Sequence, residues 1–235
     1  MHLDFNYKDL DFIDINNDNV TVSLDRYWAN KGHVFGEGMV SPDRQYFYLN
    51  IPKNSSSFIK ANLESVGWEY SNINRYPDLK IIVALRDPIK RWISGIVEYL
   101  YMYHKDTIDN VVEPFNYEYF PLLGEKLGMN LLFERITFDD HTERQAVFLK
   151  NIKLSQCQWL YIDKDFSKTF SNFLNTIGYT NNFNDPVNQS DELKKKLQNF
   201  FSYVIDNDAF KKYNIEQWFW CDHKLIKQVK FYDAR

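Results

Sequence analysis

Apolar and polar positions alternate along the middle of this chain in a way that predicts two successive strand, loop and helix units. The first begins at residues 45–51 (QYFYLNI), an aromatic and apolar run that follows a turn-like Ser-Pro-Asp and predicts a buried strand. A polar loop comes next, and Gly67 then ends a predicted helix. The apolar residues that share one side of this helix are Phe58, Ile59, Leu63 and Val66.

The second unit repeats this arrangement. Residues 79–85 (LKIIVAL) form a nearly continuous apolar run, as expected for a strand covered on both faces of a parallel sheet. Asp87 is a suitable N-cap and Pro88 suits the first helical position, so a helix is expected to begin there. Its apolar side carries Ile89, Trp92, Ile93, Ile96, Val97 and Leu100, and its opposite face carries Lys90, Arg91, Ser94 and Glu98.

The later part of the chain adds one strand and two helices. Residues 157–162 (CQWLYI) predict a strand, and apolar stripes predict helices over residues 166–177 and 193–205. Residues 180–191 are expected to form a polar surface connection. This alternation predicts a single α/β domain over residues 41–235, with a central, mainly parallel sheet flanked by helices. Residues 1–40 are expected to form an N-terminal extension of uncertain role.

Composition narrows the class of protein. The 235 residues are 44% hydrophobic and 17% aromatic, enough apolar surface for a folded core, and the net charge of −4 argues against a general nucleic-acid binder. Cys157 and Cys221 predict neither a disulfide framework nor a zinc site and are expected to be buried thiols. With no signal-peptide pattern and no apolar run long enough for a membrane span, we expect a soluble, cytoplasmic protein.

The loop after the first strand, residues 51–57 (IPKNSSS), has the features of an anion site. A predicted strand ends and a predicted helix begins there, so unpaired backbone N–H groups and the helix dipole favour a negative charge. Lys53 adds a positive charge, and three hydroxyls can donate to phosphate oxygens. The loop is not a Walker A sequence, which weakens a kinase or NTPase interpretation. The alternative is that the serines only cap the helix.

The exit of the second strand carries a comparable set of groups. Arg86 precedes the helix and can bind a phosphate with two parallel hydrogen bonds, and Ser94 lies about two turns further on. In the alternative, Arg86 is a structural ion-pair partner and the polar helix face is simply solvated. Two anion sites at neighbouring strand ends match a nucleotide with phosphates at both ends of its ribose. This interpretation requires Lys53 and Arg86 to face one shared cleft that is long enough for such a molecule.

These two segments resemble those of a known family. PKNSSS after a strand, followed by LRDPIKRWIS, resembles the 5'-phosphosulfate loop and the 3'-phosphate motif (RxPxxRxxS) of sulfotransferases, closest to carbohydrate sulfotransferases and their microbial or viral relatives. The resemblance implies a P-loop-like sulfotransferase domain. It implies that Arg86 and Ser94 bind the 3'-phosphate and that the 5'-phosphosulfate is bound by Lys53, Asn54, Ser55, Ser56 and Ser57.

The resemblance is fainter elsewhere. Residues 140–145 (DHTERQ) are similar to a short His-x-x-x-Gln stretch, residues 159–178 to a later strand and helix, and residues 187–190 to a late polar loop. The chain departs from the family's pattern at Ser55, where many relatives have Gly, and at Ile96, where an aromatic residue is common. A Gly would allow close backbone approach to phosphate, a role left here to a small Ser.

The implied reaction is the transfer of a sulfuryl group from 3'-phosphoadenosine 5'-phosphosulfate to an acceptor hydroxyl, with a carbohydrate as the first expected acceptor and without a metal. Lys53 would stabilise charge on the leaving oxygen. His141 is the first candidate for the base, with Glu98 and Glu64 in reserve. The acceptor would meet a sugar- or phenol-stacking surface at Tyr99, Tyr101, Tyr103 and His104, unless these are core or rim residues.

Two other functions stay open at this point. One is a nucleotide-dependent kinase with an unusual loop. The other is a non-catalytic module that keeps the fold and binds a nucleotide or a sulfated ligand without turnover.

Overall fold

The computed structural model describes residues 36–109, 136–149, 152–180 and 191–233. These residues fall into two compact units. The sheet unit contains residues 36–87, 144–149, 152–180 and 221–233, and the helical unit contains residues 88–109, 136–143 and 191–220. None of the helices in these ranges combines the length and the apolar character needed to cross a membrane. The predicted connection at residues 180–191 lies almost entirely outside the described residues, as does the late polar loop at 187–190.

The sheet unit is built on five strands in the spatial order β3-β1-β2-β4-β5. Their bounds are β1 Glu37–Val40, β2 Tyr46–Leu49, β3 Glu69–Asn72, β4 Lys80–Arg86 and β5 Cys157–Ile162. Strands β2, β4 and β5 are parallel, whereas β1 is antiparallel to both β2 and β3. The prediction of a mainly parallel sheet is therefore wrong, and the sheet is mixed. The physical reason is the short connection between β1 and β2, since a hairpin can join only antiparallel strands.

Strand β4 shows why the apolar run was continuous. Ile81, Val83 and Leu85 point into one hydrophobic cluster, and Ile82 and Ala84 point into another on the opposite face. Helices α1 (Ser56–Ser65) and α3 (Phe166–Thr176) cover the second cluster. The first is covered by α6 (Trp220–Gln228) and by the 3₁₀ helix Gln145–Leu149. Helices thus flank both faces of the sheet, as the sequence predicts.

The helical unit consists of α2 (Pro88–Asp109), α4 (Glu192–Asn207), α5 (Ala209–Trp218) and the segment 136–143. Its core joins the apolar side of α2, including Trp92 and Ile96, to that of α4, including Phe201. The Trp92 and Phe201 rings meet edge to face with centroids 5.9 Å apart. Helix α2 departs from helical geometry at His104, where φ is −137° and ψ is 16°.

Arg91 does not lie on a solvated face as the sequence pattern suggested. It is completely buried in the helical unit. Its guanidinium donates to the carbonyl oxygen of Glu143 and, at 3.2 Å, to that of Asp140. A buried guanidinium needs acceptors, and these carbonyls provide them. Arg91 therefore fastens the segment 136–143 to α2.

Candidate functional site

The loop between β2 and α1 has an uncommon backbone. Lys53 and Ser55 both adopt left-handed conformations, with φ of 64° and 53°. Such conformations are unfavourable for residues with a Cβ, and they persist where the surroundings impose them, often at ligand sites. The amide of Asn54 donates to the carbonyl of Ile51 at 3.2 Å and closes the turn. Alternating backbone conformations of this kind can direct successive N–H groups toward one anion.

The serines of the loop do not act as side-chain caps. Ser55 is the N-cap residue of α1 and makes no side-chain capping hydrogen bond. Within the described part of the chain, the hydroxyls of Ser55, Ser56 and Ser57 make no hydrogen bond. The first amides of α1 have no acceptor inside the helix, as in any helix. These donors are consequently available to an anion, and the alternative in which the serines merely cap the helix is not what the structure shows.

Asn54 serves the fold of this loop. The residue is completely buried, and its Nδ2 donates to the Ala84 carbonyl and to Gln145 Oε1, both at 2.7 Å. Its Oδ1 is buried and has no hydrogen-bond partner among the described residues. The side-chain amide of Asn54 is therefore not available to a phosphate, and its backbone N–H already donates to Ile51.

Arg86 lies at the end of β4 and reaches the loop. Its Nη1 donates to the carbonyl oxygen of Lys53 at 3.3 Å. Burial lowers the pKa of Arg86 from its ordinary value, while the nearby Asp87 and Tyr161 act in the opposite direction; a guanidinium nevertheless stays protonated. Among the described residues, Arg86 has no ion-pair partner, so an assignment as a structural ion pair has no support there. The two strand-to-helix corners, one formed by the loop that contains Lys53 and the other by Arg86 at the end of β4, are therefore in contact within the sheet unit.

Gln145 and Asp222 complete the sheet-unit part of the site, and sequence reasoning did not assign either of them a role. Gln145 is buried and hydrogen-bonds the backbone of Arg86 through both ends of its carboxamide. Asp222, buried in α6, accepts hydrogen bonds from the amides of Gln145 and Ala146 at 2.9 and 2.8 Å. The one sequence signal that could have indicated a buried role for Asp222 is that its carboxylate lies on the same side of a helix as apolar residues. The sequence signal for Gln145 is its position as the last residue of the His-x-x-x-Gln stretch.

The other predicted site residues belong to the helical unit. Ser94 is half-buried in α2, and within the described ranges its hydroxyl makes no hydrogen bond. His141 lies against the same helix, since a Cβ added at Gly95 would meet the His141 carbonyl oxygen at 2.0 Å. Gly95, next to Ser94, thus lets the backbone of His141 approach α2 closely.

His141 is held by two carboxylates. Its Nδ1 lies 2.8 Å from Asp139 Oδ2 and 3.2 Å from Asp140 Oδ1. Burial lowers the pKa of His141, but the hydrogen bonds and negative charges of Asp139 and Asp140 outweigh it and raise the pKa to about 9. At neutral pH the imidazole is therefore mostly protonated. The three side chains also place possible metal-ligating atoms within 4.8 Å of one another; the hydrogen bonds at Nδ1 account for that closeness.

The remaining candidates have established partners. Lys194 Nζ lies 3.0 Å from both carboxylate oxygens of Glu98, and Glu64 hydrogen-bonds Tyr70. Tyr101 donates to Asp191 at 2.9 Å and has Lys194 over its ring. Tyr103 is 61% exposed and lies 5.2 Å from Tyr99, centroid to centroid. Of these aromatic residues, Tyr103 presents the most surface for a stacking acceptor.

Comparisons of the chain with protein-family models, with curated proteins and with solved structures find no match. The function must therefore be argued from the residues themselves.

Proposed function

We propose that this protein is a sulfotransferase that moves a sulfuryl group from 3'-phosphoadenosine 5'-phosphosulfate to an acceptor hydroxyl, with carbohydrates the foremost acceptor class. The observation that carries the proposal is the contact between the two cationic corners. Arg86, at the end of β4, donates to the carbonyl of Lys53 in the left-handed loop that begins α1. Two candidate anion-binding elements in contact suit one nucleotide that bears negative groups at two positions.

The residues present fit such a nucleotide. The hydroxyls of Ser55, Ser56 and Ser57 and the first amides of α1 would hold the 5' end, and Lys53 would add a full charge. Arg86 has donors beyond the one that it gives to Lys53, and these would hold the 3'-phosphate. The assignment of Ser94 to the same phosphate rests on the motif resemblance alone.

When bound, the donor supplies the sulfuryl group, whose bond to the 5'-phosphate oxygen breaks as the acceptor oxygen bonds to sulfur. The protein's contribution is positioning and electrostatics. Lys53 and the loop donors would stabilise the charge that builds up on the leaving oxygen. His141 stays the first candidate for receiving the acceptor's proton. Asp139 fixes its Nδ1, which leaves Nε2 as the atom at which a proton would be taken up.

A non-catalytic binding module is the second candidate, and the two carboxylates beside His141 Nδ1 favour it. Because the pKa of His141 is raised to about 9, the candidate base is mostly occupied by a proton at neutral pH. A charged imidazolium suits the binding of an anion better than the removal of a proton. Turnover decides between the two candidates.

The first test is thermal denaturation with adenosine 3',5'-bisphosphate in the presence of a metal chelator. Ligand that binds only the folded state stabilises it by about 2.7 kcal/mol at one hundred times the dissociation constant. We expect a clear rise in Tm with the bisphosphate and a smaller one with adenosine 5'-monophosphate, which lacks the 3'-phosphate. Arg86→Ala should remove the difference between the two nucleotides.

The second test is transfer from radiolabelled donor in a screen of glycans, phenols, peptides and lipids. Lys53→Ala should abolish transfer with the fold intact, and Lys60→Ala, a lysine of α1 near the Tyr70 ring, serves as the matched control. Binding of the bisphosphate without transfer to any acceptor would favour the non-catalytic module. Absence of bisphosphate binding would exclude the sulfotransferase and a nucleotide-binding module, and would leave only a module that binds a sulfated ligand.

A further inference from the structure

One buried side chain, that of Gln145, connects segments of the sheet unit that are far apart in the sequence. Its Oε1 accepts from the Arg86 amide at 2.9 Å, and its Nε2 donates to the Arg86 carbonyl at 2.8 Å. The carboxamide thereby pairs with the end of β4 as a neighbouring strand would. The backbone from which the Arg86 guanidinium extends is consequently fixed.

The same carboxamide also holds the loop. Oε1 of Gln145 accepts a second hydrogen bond, from Asn54 Nδ2 at 2.7 Å, and Asn54 Nδ2 donates to the Ala84 carbonyl as well. Asn54 lies between Lys53 and Ser55, which both adopt left-handed conformations. A strained loop keeps its conformation only when its surroundings hold it, and Asn54 is the place where they do so.

Asp222 anchors Gln145 from α6. Its Oδ2 accepts from the Gln145 amide and its Oδ1 from the Ala146 amide, while Gln145 Nε2 lies 3.4 Å from Oδ2. Gln145 and Asp222 are both completely buried, so water does not compete for these hydrogen bonds. Complete burial also means that neither side chain touches a nucleotide directly.

Resting on the proposed function, we infer that Gln145 is a positioning residue that holds the Lys53 loop and Arg86 in the arrangement needed to bind both charged ends of one nucleotide. Asp222 is its anchor. Neither residue contributes donors to the phosphates, and their effect on binding passes through Asn54 and the backbone of Arg86.

Calorimetric titration with adenosine 3',5'-bisphosphate tests this inference. Gln145→Ala should weaken the affinity for the bisphosphate by about tenfold or more. A loss of this size is expected when the hydrogen bonds that position charged binding groups are removed. The stoichiometry should stay that of wild type, which shows that folded molecules bind less tightly and not that fewer molecules fold. Gln156→Ala is the matched control, because Gln156 also donates to a backbone carbonyl of the sheet unit, that of Pro77 at 3.1 Å. It should bind as wild type does.

Gln145→Glu provides a readout that a merely structural role would not give. The introduced carboxyl group would lie beside Asp222, and burial and like charge would raise its pKa. Ionised, it repels Asp222 and cannot donate to the Arg86 carbonyl; protonated, it regains a donor. We expect its nucleotide affinity to recover toward wild type as the pH falls. Wild type over the same pH range corrects for protonation of the nucleotide itself. This variant also serves if Gln145→Ala does not fold.

Hydrogen exchange without nucleotide separates the inference from the proposed function. Gln145→Ala should speed exchange of the amides of residues 54–58 and of Arg86, and Gln156→Ala should not. If wild type binds no bisphosphate while Gln145→Ala still speeds this exchange, the nucleotide assignment fails but Gln145 holds the loop. Unchanged exchange together with wild-type affinity in Gln145→Ala, or a pH-independent Gln145→Glu, would overturn the inference.

Discussion

At the scale of single residues, Ser55 adopts a left-handed conformation at the position where the proposed sulfotransferase resemblance would expect Gly. Many relatives in the resembled family have Gly where Ser55 stands, and φ at this position is 53°. Gly adopts this conformation without strain, whereas for a residue with a Cβ the conformation costs about 1–2 kcal/mol of free energy. The main requirement at this position is therefore a left-handed backbone, and a small residue such as Ser is tolerated there.

The first prediction follows from this strain. Ser55→Gly should leave the free energy of unfolding unchanged or raise it by up to about 1 kcal/mol, because relief of strain offsets the greater entropy of the unfolded chain. Ser55→Val should lower it, since a β-branched residue suits this conformation least. Urea denaturation gives both values. Ser57→Gly is the control: Ser57 lies in the first turn of α1 and should lose up to about 1 kcal/mol. Stability lost equally in Ser55→Gly and Ser57→Gly would contradict the account.

The second prediction concerns His141 and pH. Its folded-state pKa of about 9 exceeds the ordinary value of 6.5, so its interaction with Asp139 and Asp140 stabilises the fold fully below about pH 6.5. That contribution is lost as the pH rises through about 9. The stability difference between wild type and Asp139→Asn should therefore be largest at the acidic end of this range and shrink toward its alkaline end. Urea denaturation across the range measures it.

The control for this prediction is Asp206→Asn, because Asp206 is exposed on α4 and has no described partner. Its stability difference from wild type should stay nearly constant with pH. If His141 is also the base, the rate of transfer should rise with pH toward about 9, and Asp139→Asn should move that rise to lower pH. A rate independent of pH over this range would remove His141 from the proton transfer.

At the scale of elements, Gly95 determines how closely the segment 136–143 packs on α2. A Cβ at this position would lie 2.0 Å from the His141 carbonyl oxygen and 2.6 Å from its carbonyl carbon. Both neighbours are backbone atoms, which cannot turn aside as a flexible side chain can. Glycine weakens a helix, so its presence here is explained by the close contact that it allows with the segment 136–143.

The third prediction is that Gly95→Ala destabilises the protein. Alanine improves helix propensity by about 1 kcal/mol, but overpacking of a close contact costs roughly 1–3 kcal/mol. The clash here is with backbone, so we expect the loss to dominate and the free energy of unfolding to fall. Met102→Ala, at a 53% exposed position of the same helix, should change little. An unchanged or higher stability for Gly95→Ala would mean that the segment 136–143 moves away without cost.

The elements that sequence periodicity predicted are those with enough apolar residues to show a pattern. Strands β4 and β5 lie where the runs at 79–85 and 157–162 placed them, and α2 begins at Pro88 as its capping sequence predicts. Strands β1 and β3 have four residues each, and β3 has no fully buried residue, so neither carries a readable alternation. Because the sequence did not predict these two antiparallel strands, the sheet was wrongly expected to be mainly parallel.

At the scale of the whole molecule, local signals located the two corners, whereas long-range contacts decide how they are held. The polar loop and Arg86 each follow a strand and were identified from their immediate neighbours. Their contact joins residues 33 positions apart, and the bond from Gln145 to Asp222 joins residues 77 apart. No periodicity encodes such pairings. The burial of Arg91 was missed for the same reason, because its acceptors lie about fifty residues further on.

The fourth prediction uses hydrogen exchange to map nucleotide binding over the whole chain. Adenosine 3',5'-bisphosphate should slow exchange at the amides of residues 53–58 and at Arg86, because these lie at the two corners in contact. If the motif residues Ser94 and His141 act as the resemblance implies, protection should also appear at residues 91–95 and 139–143. Adenosine 5'-monophosphate is the matched control. It should slow exchange in the loop at residues 53–58 but not at residues 91–95 and 139–143. Protection confined to residues 53–58 and Arg86 with the bisphosphate would leave the nucleotide site in place and remove Ser94 and His141 from it.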